Sequence, residues 1–518
     1  MMKMSRGLLS ACAVAAALSL SHTGARADKA NDTLTFATAS EVDTVDLYYQ
    51  NLREVVIIAQ QMCDTLMYRD PRSNEYKPLL GTSYRWIDDK TLEFKLRKGV
   101  KFSNGKELTA ADVAYTFNHT RQPDSGVVTR LLVDWIDNVE APDAETVIFK
   151  AKAPTPAAIE YLSGITPIYP AGHYDKAPTV QTGGKPRRDW GAVAPVCVGP
   201  YNLKDFKSGQ SATLVKNPDY FAESPKGKPQ IGTLVFKTVP DTDTQLAELV
   251  TGGLDWIWGV PSENAKQLSA MPNVTVKAAP TTRMSFLSLD AVGRSGDNPM
   301  KNVLVRRAIF HAIDRQAIAR DLVGEGAEVL RLMCDARQFG CAADIKDYAY
   351  DPAKAKALLA EAGYPKGFKI PIYSYRDRPY TEAVMNYLRA VGIDTDLRFL
   401  QWKALRPALQ EGKTELAHLS WGSQGVLDAS ASVSNYFKFS IDDYARDQQV
   451  KDWLDEADSA IDPAKRKELY GKALARINDQ AYMVPLFSYG RTYAFNSDLD
   501  LPVTPDELAH FYLARWKK

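Results

Sequence analysis

Alternation of apolar and polar positions in TLTFAT, residues 33–38, predicts a strand, and the apolar run LREVVIIAQQMCDTLM at 52–67 predicts a helix. A further strand is expected at 91–97. It is followed by a turn at Asn104-Gly105 and by a helix whose N-cap is Thr109, with Asp112 three residues on as its capping-box partner. Thr146 to Lys150 reads as another strand. From Ala171 to Pro200 the chain is rich in Pro, Gly and charge and has no period, which marks a loop or a boundary. Strands follow at 212–216 and 231–239, then a helix from about Asp241, stopped by Gly252-Gly253, a short strand, and a strand at 284–290.

The second half alternates more regularly. Helices are predicted at 302–322, 351–362, 380–391 and 402–411, with strands at 368–374, 393–399 and 415–421. Strands separated by helices of about ten residues predict a mostly parallel sheet covered on both faces. Val450, Trp453, Leu454 and Ala457 form one buried stripe of a helix at 448–460; a second helix at 463–479 leads into a strand at 482–488. The class is α/β, and 518 residues at 45% hydrophobic composition predict two or three subdomains.

The N-terminus is a separate segment. Lys3 and Arg6 precede an apolar run from Leu8 to Leu20, and Ala25-Arg26-Ala27 has the small-x-small pattern of a signal-peptidase site, so residues 1–27 are expected to be removed before Asp28. Leu9-Ser10-Ala11-Cys12 offers a competing lipoprotein processing site at Cys12. No later stretch has the roughly 20 apolar residues needed to span a bilayer.

With Lys3, Arg6 and Arg26 removed, the formal charge moves from +1 to about −2. That balance argues against a nucleic-acid partner, which would call for a basic excess. Four cysteines remain, and export implies oxidising conditions. Cys334 and Cys341 enclose only six residues and predict a local bridge; Cys63 with Cys197 follows by exclusion. No cysteine or histidine spacing suits zinc.

A catalytic constellation is not evident. GxSxG, GxxxxGK[ST] and HExxH are all missing, and His119, His173, His311, His418 and His510 are scattered. DTDT at 241–244 sits at a helix start, where Asp serves as a cap. A two-carboxylate hydrolase leaves no mark that sequence can separate from 63 acids.

Six stretches, in order, resemble the family 5 extracellular solute-binding proteins, the dipeptide, oligopeptide and nickel group serving ABC importers. They are LEFKLRKGVKFSNGKELTAADVAYTF (92–117), VGPYNLKDF (198–206), LAELVTGGLDWI (246–257), NVLVRRAIFHAIDRQAI (302–318), YDPAKAKALLAEAGYPKGF (350–368) and DPAKRKELYGKALARINDQAYMVPLF (462–487). The resemblance implies a two-lobed periplasmic-binding-protein fold with an inserted subdomain in the first lobe. Lobe I would comprise 28–67, 195–283 and 488–518, with the insertion at 68–194, and lobe II would be 284–487. Segments near Arg283 to Asp290 and Pro485 to Arg491 would form the hinge. It also implies a monomer in the periplasm, without a cofactor, that takes a small-molecule or peptide ligand and hands it to an inner-membrane ABC permease.

In the dipeptide branch an Arg-Pro-Tyr clamps the ligand carboxylate, and Arg378-Pro379-Tyr380 looks like it, with Arg376 two residues before. Both arginines follow the strand expected at 368–374, at its carboxyl end, where ligands bind in open α/β sheets, and a guanidinium suits a carboxylate. The Asp that holds the ligand ammonium in that branch is replaced by Gln424, three after Trp421, and the nearest acid downstream is Asp428. Family position and location at strand ends or loops make Tyr48, Trp258, Arg283, Trp402, Trp421, Gln424 and Asp428 the further candidate ligand contacts. The ligand expected is peptide-like and anionic or zwitterionic; an opine or sugar-phosphate conjugate, or a chelated metal or haem, is the alternative, and a secreted hydrolase a more distant one.

Overall fold

Two long strands, Val274–Leu289 and Met483–Asn496, run antiparallel to each other through the middle of the protein. The structure is a computed structural model that describes residues 29–50, 52–182 and 185–518; the expected signal segment and Cys12 lie outside the described residues. One end of the strand pair belongs to a first lobe and the other to a second, giving a two-lobed α/β fold. Their register shifts between Pro280 and Met284, and Thr281 Oγ1 donates to Tyr489 O at 2.8 Å across that irregularity.

Among the described residues the sheet that contains them has eleven strands. On the first-lobe side Thr33–Thr38 pairs in parallel with Thr233–Thr238 and with Trp256–Trp258, which in turn meets Met483–Asn496 antiparallel. On the other side Leu416–Trp421 lies antiparallel to Val274–Leu289 and parallel to Phe368–Ser374, which is parallel to Ile393–Phe399. The expected mostly parallel sheet is therefore mixed: both crossing strands run against their neighbours. A separate four-stranded antiparallel sheet is built from residues 81–151.

The second-lobe sheet is buried on both faces. Leu287 and Leu289 enter one apolar cluster with the helices Val303–Ala312, Pro352–Glu361 and Arg378–Ala390. Met284 and Phe286 enter another with Trp402–Gln410, Gln448–Ser459 and Pro463–Asp479. Two apolar faces explain why 284–290 alternates imperfectly. Helix ends follow local chemistry: Thr109 and Asp112 form the expected capping box, Asp241 accepts from Thr244 N, and Gly252 closes that helix at φ +80°.

Two predicted helices are shorter than the apolar pattern suggested. The run 52–67 is helical only over Arg53–Ala59, because the backbone beyond it is used elsewhere: Tyr201 N–H donates to Gln61 O at 3.0 Å and Asp64 N–H to Val198 O at 2.7 Å. Cys63 is disulfide-bonded to Cys197 at the same place. The helix expected at 302–322 stops at Ala312, and Asp314 caps a new turn through Ala317 N–H. The break lets the Arg315 guanidinium reach Leu330 O, Pro485 O and Tyr348 O. Cys334 and Cys341 form the second disulfide. The aperiodic stretch 171–200 holds a hairpin, Thr179–Thr182 with Lys185–Arg188, and short single-turn helices.

Candidate functional site

The carboxyl ends of the three parallel second-lobe strands converge on one place. Phe368–Ser374 ends at Tyr375 and Arg376, Ile393–Phe399 leads to Trp402, and Leu416–Trp421 ends at Trp421. These side chains line a cavity of about 1040 Å³, closed on the other side by first-lobe residues that include Arg53, Glu54 and Trp258. That volume sits at the upper end of the range for small-ligand clefts.

Aromatic rings form much of the wall. Tyr375 and Trp402 lie 4.7 Å apart between ring centroids, and Trp421 meets Tyr436 edge-on at 6.1 Å. Trp421 is fixed by donating Nε1–H to Ala431 O at 2.8 Å, and the Tyr375 and Ser420 hydroxyls are hydrogen-bonded at 2.9 Å. Such rings offer apolar area with little conformational entropy to lose.

Among the described residues, five in the lining are arginines: Arg53, Arg283, Arg376, Arg406 and Arg491. Arg406 is paired with Asp442 through both of its terminal nitrogens. Arg53, Arg283 and Arg491 gather around a single buried carboxylate, Glu507, at 3.2, 3.3 and 3.2 Å. Burial pushes the Glu507 carboxyl up, but the guanidinia of Arg283, Arg53 and Arg491 outweigh it and hold it well below the usual carboxylate range. Arg376 packs over the Tyr375 ring, 5.5 Å from its centroid, and among the described residues it has no carboxylate within 4 Å. Glu54 is a lining acid without such a cation partner among the described residues.

The loop that carries Arg376 is held in an uncommon backbone conformation. Asp377 has φ +52°, and its carboxylate accepts from Tyr489 OH at 2.8 Å, on the second crossing strand. Ser374 and Thr381, either side of the loop, share a hydrogen bond at 2.9 Å, and Thr381 Oγ1 also bonds to the His418 ring. Arg376 is thereby aimed at the cavity by contacts to its neighbours.

Of the residues singled out from sequence, Trp258, Arg283, Arg376, Trp402 and Trp421 come together in this lining. Arg378 does not. It is the first residue of its helix, its side chain is 60% exposed, and Nε donates to Glu382 at 2.8 Å on the outer surface. Asp428 is buried and held by both terminal nitrogens of Arg466, at 2.6 and 2.9 Å. Tyr48 is a core residue that donates to Pro167 O and packs on Tyr169. Gln424 lies in the single-turn helix Ser423–Gly425; its side chain falls outside what the structure describes.

Sequence reasoning missed Arg53, Arg491, Glu507 and the Arg406–Asp442 pair. Arg491 ends a segment already expected at the hinge beside Arg283, so that pairing was within reach. Glu507 carries no pattern of its own. Among the described residues no group of three or more His, Cys, Asp or Glu is placed to hold a metal ion, and no helix is long and apolar enough to cross a membrane.

Two lobes joined by a pair of crossing strands, with an aromatic and cationic cavity between them, define a protein that encloses a small solute. The chain belongs to the bacterial extracellular solute-binding proteins, family 5, whose middle-region model matches residues 75–443. It is 27% identical over 470 residues to the glutathione-binding protein GsiB of Escherichia coli K12, covering 87% of this chain and 88% of that one. Among solved structures it resembles the periplasmic binding protein DppA of Helicobacter pylori in complex with the peptide STSA. The identity there is 25% and the TM-score 0.77, with 94% and 98% of the two chains covered. NikA of Brucella suis in complex with Fe(III)-EDTA shares the fold at TM-score 0.81 and 21% identity, over 94% and 100%. The protein is thus the substrate-binding component of an ABC importer, extracellular or periplasmic, in a family of transport proteins and not of enzymes.

Proposed function

We propose that this protein captures a small peptide-like solute, anionic or zwitterionic, in the periplasm as a monomer and delivers it to an inner-membrane permease. The observation that carries the reading is Arg376: a guanidinium at the carboxyl end of parallel strands, facing the cavity and without an acid partner among the described residues. It is suited to a ligand carboxylate. Trp402, Trp421 and Trp258 would enclose the body of the solute, and Glu54 would receive an ammonium group. The ligands of two relatives, glutathione and the peptide STSA, support a peptide-like solute.

In this reading lobe I comprises 28–67, 195–283 and 488–518, the inserted subdomain 68–194 and lobe II 284–487, and the lobes rotate about Pro280 to Met284 and its partner strand. Closed protein is favoured by a ligand that touches both lobes. Native mass spectrometry of gently purified mature protein tests the proposal. A retained solute of a few hundred daltons bearing a carboxylate is expected. A protein that retains none, and whose melting temperature is unmoved by a panel of di- and tripeptides, refutes it; a ligand at 100 times its Kd should add about 2.7 kcal/mol.

A further inference from the structure

Three guanidinia around Glu507 carry more charge than that carboxylate balances. Arg53 comes from the first helix, Arg283 and Arg491 from the two crossing strands, and all three line the cavity. Together they present about fifteen N–H donors to about four lone-pair sites on one carboxylate. Their contacts to Glu507, 3.2 to 3.3 Å, are longer than the 2.6 and 2.9 Å of the buried Arg466–Asp428 pair. Arg491 Nε is buried without a hydrogen-bond partner among the described residues. The node is therefore held together by three guanidinia on one carboxylate at contact distance, with donors to spare; Asp506, whose charge also reaches Arg53, is itself taken up by His510.

Its surroundings concentrate that charge. Arg491 lies over the Trp258 ring at 4.9 Å, and Arg283 packs so closely on the backbone after Trp421 that a Cβ on Gly422 would fall 2.9 Å from its Nη2. Apolar rings and packed backbone lower the local dielectric, and an excess of like charge there is costly until an anion meets it. Arg406 is matched by Asp442, so it does not share in the excess.

We propose that Arg53, Arg283 and Arg491 form a second oxyanion subsite at the hinge end of the cavity, taking a carboxylate or phosphate-type group while Arg376 takes another on the second lobe. The preferred solute then carries at least two anionic groups. This extends the peptide-like reading above, but the subsite itself is tested without it.

The first arm titrates inorganic phosphate into the full mature protein and follows tryptophan fluorescence, to which Trp258 reports directly. A saturable change is expected, weakened at least tenfold in Arg491→Gln. The Arg376→Ala variant discriminates the two ends of the cavity, and its phosphate response should persist. No saturable response in the unaltered protein, or one lost in Arg376→Ala and kept in Arg491→Gln, overturns the subsite. Should Arg491→Gln fail to fold, Arg53→Gln carries the same comparison. The second arm compares a tripeptide bearing two free carboxylates with its C-terminal amide. At least tenfold preference for the diacid is expected, and Arg491→Gln should erase it. A mapped phosphate response with no peptide binding retains the subsite and discards the peptide; peptide binding without charge preference or phosphate response does the reverse.

Discussion

The carboxylate of Glu160 accepts the backbone N–H of Leu427 at 2.6 Å, across 267 positions of chain. The same carboxylate is paired with Arg69, whose other nitrogen donates to Gly425 O at 3.0 Å, and it accepts from Tyr76 OH. Val426 and Ala431 bury into the first-lobe core beside them. One acid thus ties the loop after Trp421 to the opposite lobe, just outside the cavity.

Replacing Glu160 with Ala should release that tie. Leaving Arg69 as an unpaired, mostly buried charge costs about 3 kcal/mol, so the melting temperature should fall. Unliganded protein should show a larger radius of gyration by small-angle scattering, and ligand affinity should drop about tenfold. An unchanged radius together with unchanged affinity would mean that the contact does not hold the lobes together.

Arg376 and Arg378 should behave differently. Loss of one charge-assisted hydrogen bond removes about 1.5 to 3 kcal/mol of binding, so Arg376→Ala is expected to weaken a carboxylate ligand at least tenfold by calorimetry. Arg378→Ala removes only an exposed pair with Glu382 and should change affinity less than twofold. The reverse order would move the anion grip to the helix start.

Asp428 is expected to act on stability alone. Arg466 is buried, and although burial disfavours its charge, Asp428 raises its pKa above the usual value. Asp428→Ala would strand that charge at a cost of about 3–5 kcal/mol, read from urea unfolding, while the folded fraction keeps its ligand affinity within about twofold. Tenfold weaker binding at unchanged stability would place Asp428 in the ligand shell instead.

Asp46 should give stability a pH dependence of unusual sign. Burial pushes its carboxyl from 3.8 up to about 7, against hydrogen bonds from Tyr48 N–H and Tyr174 OH that favour the charged form. Well below pH 4 the group is protonated in both states. From there to about pH 7 the folded protein keeps a proton that the unfolded chain has lost, so this contribution falls as pH rises, by up to about 1.4 kcal/mol per pH unit. Asp46→Asn should remove that slope; denaturant melts at pH 4.5 and 7 that change equally for both proteins would refute the assignment.

Much of the second lobe was legible because each helix and strand there carries its own pattern. Phe368–Ser374, Ile393–Phe399 and Pro463–Asp479 fall where periodicity put them. The crossing strands were legible only at their apolar halves: Thr282, Arg283, Gly490 and Arg491 interrupt the pattern at the hinge, where the strands face a cavity and not a core. The extent of the helix after Leu52 was illegible because long-range partners at Val198 and Tyr201 take its backbone. Within the site, strand-end position located Arg376, Trp402 and Trp421. It did not distinguish Arg376 from Arg378, because one turn of φ at Asp377 decides which of the two faces inward.

The Cys63–Cys197 bond closes a covalent ring of chain that contains the four-stranded sheet and the Thr179–Arg188 hairpin. A protease cutting anywhere inside that ring leaves a single molecule with both ends still anchored. Such a cut therefore becomes visible as separate fragments only once the disulfide is reduced.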